Sequence, residues 1–176
     1  MHVSWDDAAA YARWARKDLP TEAQWEYAAR GGLEQQRFAW GGELHPNGHH
    51  MANIFDGEFP HHQTGEDGFA GTSPVQSFPP NGYGLFDMAG NVWQWTNDWY
   101  RDDTFAEYAH HEVTYNPIGP SAGDPNDPYG PRRTIKGGSF LCHESYCESY
   151  RPSARQGAAA DSGASHIGFR LVRNGR

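Results

Sequence analysis

Between Leu33 and Pro80 no apolar run survives for long, because Gly, Pro, Asn, His or an acidic residue interrupts each one. Glycine frees the backbone and proline removes an amide donor, so neither a long helix nor a wide sheet grows through such a stretch. The pattern extends along the whole chain, with 21 glycines and 12 prolines among 176 residues. Hydrophobic residues make up only 37%, yet aromatic residues reach 14%, with 7 Trp. Disordered chains are poor in aromatics. The composition therefore describes a folded, loop-rich chain whose core is built from large rings. A length of 176 residues suits one domain.

Charge narrows the partners. The formal net charge is −8 and the sequence pI is near 5.6. An acidic chain with no basic stripe argues against nucleic acid. No apolar run approaches the ~20 residues of a membrane span, so no membrane partner is expected. The start shows no basic-then-apolar leader. Two cysteines make no disulfide framework, and a reducing cytoplasm is the expected compartment.

Two helices are legible near the start. Ser4 caps the first and Asp7 completes a capping box, with Ala8, Tyr11, Ala12 and Ala15 as the apolar stripe. Thr21 caps the second and Gln24 is its box partner. Trp25, Ala28 and Ala29 form the buried face, and Gly31-Gly32 ends the helix. Val92 to Tyr100 reads as a strand with Trp93 and Trp95 on one face. Residues Asn116 to Pro131 hold five prolines and read as loop. Arg132 to Lys136 reads as a strand leading into the Gly137-Gly138 bend. His166 to Val172 reads as the last strand, with Ile167, Phe169 and Leu171 alternating.

The only two cysteines, Cys142 and Cys147, are five apart in one polar segment. On a regular strand that spacing puts them on opposite faces. Bringing them together needs a bend or bulge, which Gly137-Gly138-Ser139 suits. Three readings stand. One is a structural disulfide that closes a small loop. Another is a pair of unrelated buried thiols. The third is a functional dithiol, for redox exchange or for a soft ion such as Cu(I). Spacing alone ranks the disulfide first and the functional dithiol next.

Several segments together resemble one family. They are Leu19-Pro20-Thr21-Glu22-Ala23-Gln24-Trp25-Glu26-Tyr27-Ala28-Ala29-Arg30-Gly31-Gly32, Asn81-Gly82-Tyr83-Gly84-Leu85-Phe86-Asp87-Met88-Ala89-Gly90-Asn91-Val92-Trp93-Gln94-Trp95, Lys136-Gly137-Gly138-Ser139 and Gly168-Phe169-Arg170. The chain resembles the formylglycine-generating enzyme (sulfatase-modifying factor) family over nearly its whole length. The resemblance implies a single α+β, loop-rich domain, residues 1–176, of the C-type-lectin-like, formylglycine-generating-enzyme type. Family chains usually carry a further N-terminal portion before the segment matching Val3-Ser4-Trp5. The expected match is therefore to the C-terminal two thirds of the family domain.

The Trp and Gly framework is shared by related domains without oxidase chemistry, and the cysteine segment narrows the reading. Ser139 to Cys147 is similar to the family's active-site segment, as are Thr64 to Phe69 and Phe78 to Gly82. This implies Cu(I) held by Cys142 and Cys147, with O2 converting a cysteine to formylglycine. The implied partner is an unfolded or nascent sulfatase polypeptide carrying Cys-x-Pro-x-Arg. Two thiolates suit soft monovalent copper, so the resemblance ranks a copper dithiolate above a disulfide.

The resemblance also implies roles for single residues. Ser139 matches the active-site serine, which is otherwise a turn serine, and Trp93 matches an aromatic near the metal, which is otherwise core. His143 and Tyr146 flank the thiols. Arg155, Ser162 and His166 match the segment lining the peptide cleft, with His166 where some members have Asn. Asn53, Ile54, Asp67 and Phe69 match one Ca2+ site, the apolar residues acting through their carbonyls. Asp87, Gly90, Val92 and Gln94 match a second, with Asp87 where Asn and Gln94 where Glu is usual.

The pairs His49-His50, His61-His62 and His110-His111 read as surface residues, because neighbours on an extended chain point oppositely. Two rival functions remain. One is a non-catalytic peptide- or ligand-binding module on the same scaffold, which gives the cysteines no role. The other is a thiol–disulfide redox protein.

Overall fold

The computed structural model describes residues 2–174. Contacts group them into two compact units. The first takes the residues up to Trp25, Gln94–Ile135 and those from Arg155 on; the second takes Glu26–Trp93 and Lys136–Ala154. Regular structure among the described residues is sparse, as the breaker-rich sequence requires. It comprises helices α1 (Trp5–Trp14), α2 (Glu22–Arg30) and α3 (Thr104–Tyr108), and a 3-10 turn at Pro46–Gly48. The strands are β1 (Gly57–Glu58), β2 (His62–Gln63), β3 (Trp93–Trp99), β4 (Arg132–Lys136), β5 (Gln156–Ala159) and β6 (Ile167–Phe169). The α+β, loop-rich expectation holds. The short α3, the β1–β2 ladder and β5 carry too little periodicity to be read from the sequence.

Both expected capping boxes form. Asp7 N–H donates to Ser4 Oγ at 3.1 Å and Ser4 N–H to Asp7 Oδ2 at 3.0 Å. Gln24 N–H donates to Thr21 Oγ1 at 3.1 Å and Thr21 N–H to Gln24 Oε1 at 3.0 Å. Each box satisfies two amides that a helix start otherwise leaves open. The buried stripe of α1 is Ala8, Ala9 and Ala12, while Tyr11 is half exposed and packs edge-on against Phe169.

The first unit holds a sheet in the order β5-β4-β3-β6. Strands β4 and β5 pair antiparallel, from Arg132 opposite Ala159 to Ile135 opposite Gln156. In β3 the expected Trp face is buried, but so are Gln94, Thr96 and Asp98 on the other face. Each has a partner. Gln94 Oε1 accepts from Trp25 Nε1 at 2.8 Å, and Thr96 Oγ1 donates to the Thr134 carbonyl at 3.1 Å. Strand β6 is shorter than the alternation suggests. Val172 has left it and exchanges two backbone hydrogen bonds with Asp18.

Charges inside the first unit are matched. Arg155 forks onto Glu22, with Nε to Oε1 and Nη2 to Oε2 both at 2.9 Å, and its Nη1 donates to the Arg101 carbonyl at 2.7 Å. Asp98 Oδ2 accepts the Glu22 amide at 2.6 Å. The Arg133 guanidinium lies 3.7 Å from the Trp5 ring centroid and 3.5 Å from that of Trp99. Burial favours the neutral form of Asp98 and the Glu22 charge adds to this, so its carboxyl is pushed up to about 6. Hydrogen bonding from the Glu22 amide and the Arg155 cation act the other way.

In the second unit the end of α2 fits the Asn81-Gly82 turn. Asn81 Nδ2 donates to the carbonyls of Ala28 at 2.7 Å and Ala29 at 3.1 Å. Gly31 has φ +58°, and a Cβ on it would stand 2.8 Å from the Gly82 nitrogen. A Cβ on Gly82 would stand 2.2 Å from the Gly31 oxygen. Both glycines are required by this close approach.

Asp98 predicts a pH dependence of stability. Its folded value near 6 lies above its ordinary 3.8, so the folded state holds the proton more tightly. That contribution is complete below 3.8 and is lost as pH rises through about 6. Asp98→Asn keeps an acceptor for the Glu22 amide and removes the titration. Wild type should lose on the order of 2 kcal/mol more stability than Asp98→Asn between about pH 4.5 and 7.5. Urea unfolding at the two pH values measures it, and parallel profiles would refute it.

Candidate functional site

The cysteines lie in the second unit, on a loop that opens at Gly138 and returns beside Ser149 and Tyr150. Gly138 has φ +68°, and a Cβ there would stand 2.7 Å from the Tyr150 nitrogen. After it, Cys142 N–H donates to the Ser139 carbonyl at 2.9 Å, and Cys147 N–H to the His143 carbonyl at 2.8 Å. The second bond closes one helical-type turn. That turn supplies the bend a five-residue spacing needs, and the two Sγ atoms stand 2.6 Å apart.

The two sulfurs are unequal. Cys142 is buried and Cys147 half-buried. The Cys142 thiol donates to Cys147, which draws the Cys147 thiol down to about 6, with hydrogen bonding from Ser149 assisting and burial opposing. The same bond, with burial, pushes the Cys142 thiol well above its usual range, while hydrogen bonding from Ser139 acts in the opposite sense. One proton is thus shared by two sulfurs and rests on the deeper one.

Aromatic rings flank the pair. Phe59 stacks on Tyr146 at 4.9 Å and on His143 at 6.1 Å, and Phe55 meets both Phe59 and His143 edge-on. Tyr146 is 74% exposed, so this ladder reaches solvent. His143 Nδ1 accepts the Ser145 amide at 3.2 Å and lies 2.8 Å from Ser145 Oγ. Ser139 is buried, and its Oγ accepts the Leu141 amide at 3.3 Å. Trp93 is buried in the same unit.

Residues 1–175 match the family model described as sulfatase-modifying factor enzyme 1-like domain. The chain belongs to this family. It is similar to the formylglycine-generating enzyme of Thermomonospora curvata, 55% identical over 98% of this chain and 54% of the relative. It is also similar to the inactive C-alpha-formylglycine-generating enzyme 2 of Mus musculus, 39% identical over 98% of this chain and 48% of that one. Among solved structures, PvdO from Pseudomonas aeruginosa superposes with TM-score 0.67 at 29% identity, over 96% of this chain and 59% of that one. The chain spans about half the length of the curated relatives it matches.

The other family positions divide. Among the first group for Ca2+, Asn53 Oδ1 and Asp67 Oδ2 are buried with no hydrogen-bond partner. Burial pushes the Asp67 carboxyl up, and Asp56 adds to this. Two unpartnered buried oxygens, one of them from a carboxyl, suit a hard cation. The second group fits less well. Gln94 Oε1 already takes Trp25 Nε1 and, at 2.5 Å, Arg170 Nε. Both lone pairs are used, one by a cation. Asp87 Oδ2 accepts the Gln76 amide at 2.9 Å.

The cleft positions lie in the first unit. Arg155 is engaged by Glu22 and the Arg101 carbonyl. Ser162 is exposed and donates to Asp161 at 3.2 Å, and His166 is half-buried, its pKa lowered by burial. His49, His61, His62, His110 and His111 are exposed as expected, but His50 is not. The chain turns at Pro46–Gly48 and directs His50 inward, toward His45 and Asp56. The opposite orientation of neighbours, which exposes His49, is what buries its partner.

In the reduced, metal-free protein, iodoacetamide should label Cys147 before Cys142. The labelling should persist down to about pH 6 and fall off below it, as the Cys147 thiolate is protonated. Peptide mass mapping across pH checks this. Equal labelling of both sulfurs, or a midpoint near the ordinary thiol value, would contradict it.

Proposed function

We propose that this chain is a copper-dependent oxidase that converts a cysteine in a sulfatase Cys-x-Pro-x-Arg segment to formylglycine with O2. The supporting observation is the convergence of Cys142 and Cys147, 2.6 Å apart, beside Ser139. Bound Cu(I) would supply a soft centre that takes thiolate sulfur and engages O2. The chain's own residues do the rest. Cys147, the more acidic and more exposed thiol, and Cys142, the buried one, would hold the ion between them. Ser139, fixed by burial, presents a hydroxyl at Cys142. The Phe59 ladder offers an apolar wall against which an extended peptide can lie, with Tyr146 at its outer edge.

The reaction balances with one more participant. Oxidising the CH2–SH carbon to an aldehyde releases sulfide and supplies two of the four electrons O2 needs to become water and the aldehyde oxygen. Two thiols of an external reductant supply the other two and become a disulfide. The substrate would be a segment without fixed structure, since an extended chain can bring its cysteine to a pair of which one sulfur is buried and the other half-exposed. Within the first unit Arg155 acts by holding Glu22.

The test is an anaerobic Cu(I) titration of reduced protein against a competing chelator. Binding of one Cu(I) should be tight and lost in both Cys142→Ser and Cys147→Ser. A Cys-x-Pro-x-Arg peptide under O2 with a thiol reductant should then gain a hydrazide-reactive aldehyde. Cu(I) affinity indifferent to either cysteine would overturn the mechanism. Tight binding without aldehyde would leave a metal-binding module on this scaffold.

We also propose that Asn53 and Asp67, with the carbonyls of Ile54 and Phe69, hold one Ca2+. Saturating Ca2+ should raise the Tm, by ~2–4 °C for each kcal/mol of linkage. Asp67→Ala should abolish that rise in differential scanning fluorimetry, whereas Asp87→Asn should leave it unchanged. A rise that survives Asp67→Ala would sink the assignment.

A further inference from the structure

A third group of ligand atoms uses none of the residues assigned to the thiol pair or to the all-oxygen loop. His45, His50 and Asp56 each offer an atom, and these lie within 4.8 Å of one another. The spacing is informative. His50 Nδ1 and Asp56 Oδ2 are 3.5 Å apart, and no hydrogen bond joins them. Ligands ~2.0–2.2 Å from a tetrahedral ion stand roughly 3.3–3.6 Å from each other, so this edge has the length a metal would require.

The unpaired atoms point the same way. The Nδ1 atoms of both His45 and His50 are buried without a hydrogen-bond partner, although their ring centroids are only 4.6 Å apart. Such an orphaned polar atom is costly in a native fold. The loop is also fixed beforehand. Asn47 and Gly48, at φ +54° and +76°, turn the chain between the two histidines, and the Gly48 amide donates to the His45 carbonyl at 3.0 Å. Asp56 is held by three groups. Its amide donates to Gln63 Oε1 at 3.0 Å, its carbonyl accepts the Thr64 amide at 2.8 Å, and its Oδ2 accepts the Asp67 amide at 3.3 Å. The three residues line an open cavity of about 640 Å³, which leaves room for water to complete the coordination.

We propose that His45, His50 and Asp56 form a binding site for a borderline divalent transition-metal ion of the Zn2+ or Co2+ type. Two imidazoles and one carboxylate exclude the hard Ca2+ and the soft Cu(I) as preferred occupants. The ion would relieve both orphaned nitrogens and tie the loop of His45 to His50 onto Asp56.

The test uses the Cys142→Ser/Cys147→Ser chain, freed of metal by chelation, so that no thiol contributes. Co2+ is titrated at neutral pH and read by visible absorption, then displaced with Zn2+. One equivalent should bind, with d–d bands and no sulfur-to-metal charge transfer. His45→Gln and His50→Gln should each weaken binding by at least ~10-fold. Asp56→Asn, which keeps an oxygen for the Asp67 amide, should weaken it as well. The exposed pair serves as control, and His61→Gln/His62→Gln should change nothing. Circular dichroism in chelator confirms that each variant is folded. The proposal falls if no equivalent binds, if affinity ignores His45 and His50, or if it follows His61 and His62.

Discussion

Asn91 holds the loops of the second unit to one another. Its amide donates to the Asn53 carbonyl at 2.7 Å, and its carbonyl accepts the Phe140 amide at 3.0 Å. Its side chain behaves as a second peptide group, accepting the Ser73 amide at 3.1 Å and donating to the Ser73 carbonyl at 3.2 Å. The preceding Gly90 donates to the Gly137 carbonyl at 2.8 Å, and a Cβ on it would stand 2.2 Å from the Asn53 oxygen. Ordering a residue costs roughly 1–2 kcal/mol of backbone entropy, and loops without ladders recover little of it locally. A buried residue that joins three segments offsets this cost for all of them. It also sets the site, because the segment at Asn53 and the one at Phe140 carry the candidate calcium oxygens and the dithiol.

Buried charge is the second organising constraint. Lys136 is fully buried, and its Nζ reaches Glu26 Oε2 at 3.2 Å, while Glu26 Oε1 takes Arg30 Nη2 at 2.6 Å. Glu22, Asp98 and Arg155 repeat the theme in the first unit, with one cation facing two carboxyl groups. Burial raises the Asp98 carboxyl above its ordinary value, with the Glu22 charge adding to this and the Arg155 cation opposing it. A chain with few aliphatic residues fills its interior with rings and matched ions, and geometry becomes strict wherever such a pair is cut.

Helix starts, the β3 segment and the need for a bend at the cysteines were all legible, because each rests on neighbours in sequence. Ser4 with Asp7, Thr21 with Gln24, and Gly137-Gly138 before Ser139 are local signals with local causes. The polar face of β3 was not legible. Gln94, Thr96 and Asp98 look like solvent residues until Trp25, Thr134 and the Glu22 amide arrive from distant segments. His50 was misread for the same reason. Alternation correctly separates it from His49, but only the turn at Pro46–Gly48 decides which of the two faces inward. His45, five residues earlier and across a Pro-Asn-Gly turn, was the available clue. Arg155 illustrates the limit of a family match, since the match assigns a position whereas Glu22 determines what its guanidinium does.

On the proposed copper reading, the inequality of the two sulfurs has a use that a static crosslink lacks. A static crosslink gains nothing from having one sulfur buried and the other half-exposed, and closing so short a loop is worth only about 2 kcal/mol. A pair proposed to admit an ion and a substrate thiol would use the inequality directly. The outer sulfur is the more acidic and the more exposed, and the inner one is hydrogen-bonded by Ser139 on a segment bound to Asn91. The helical turn between them keeps this order, since Cys147 is tied to His143 rather than to the frame that holds Cys142. The frame therefore fixes one sulfur and leaves the other on a short arm, an asymmetry that the proposed copper site would use to admit a substrate thiol.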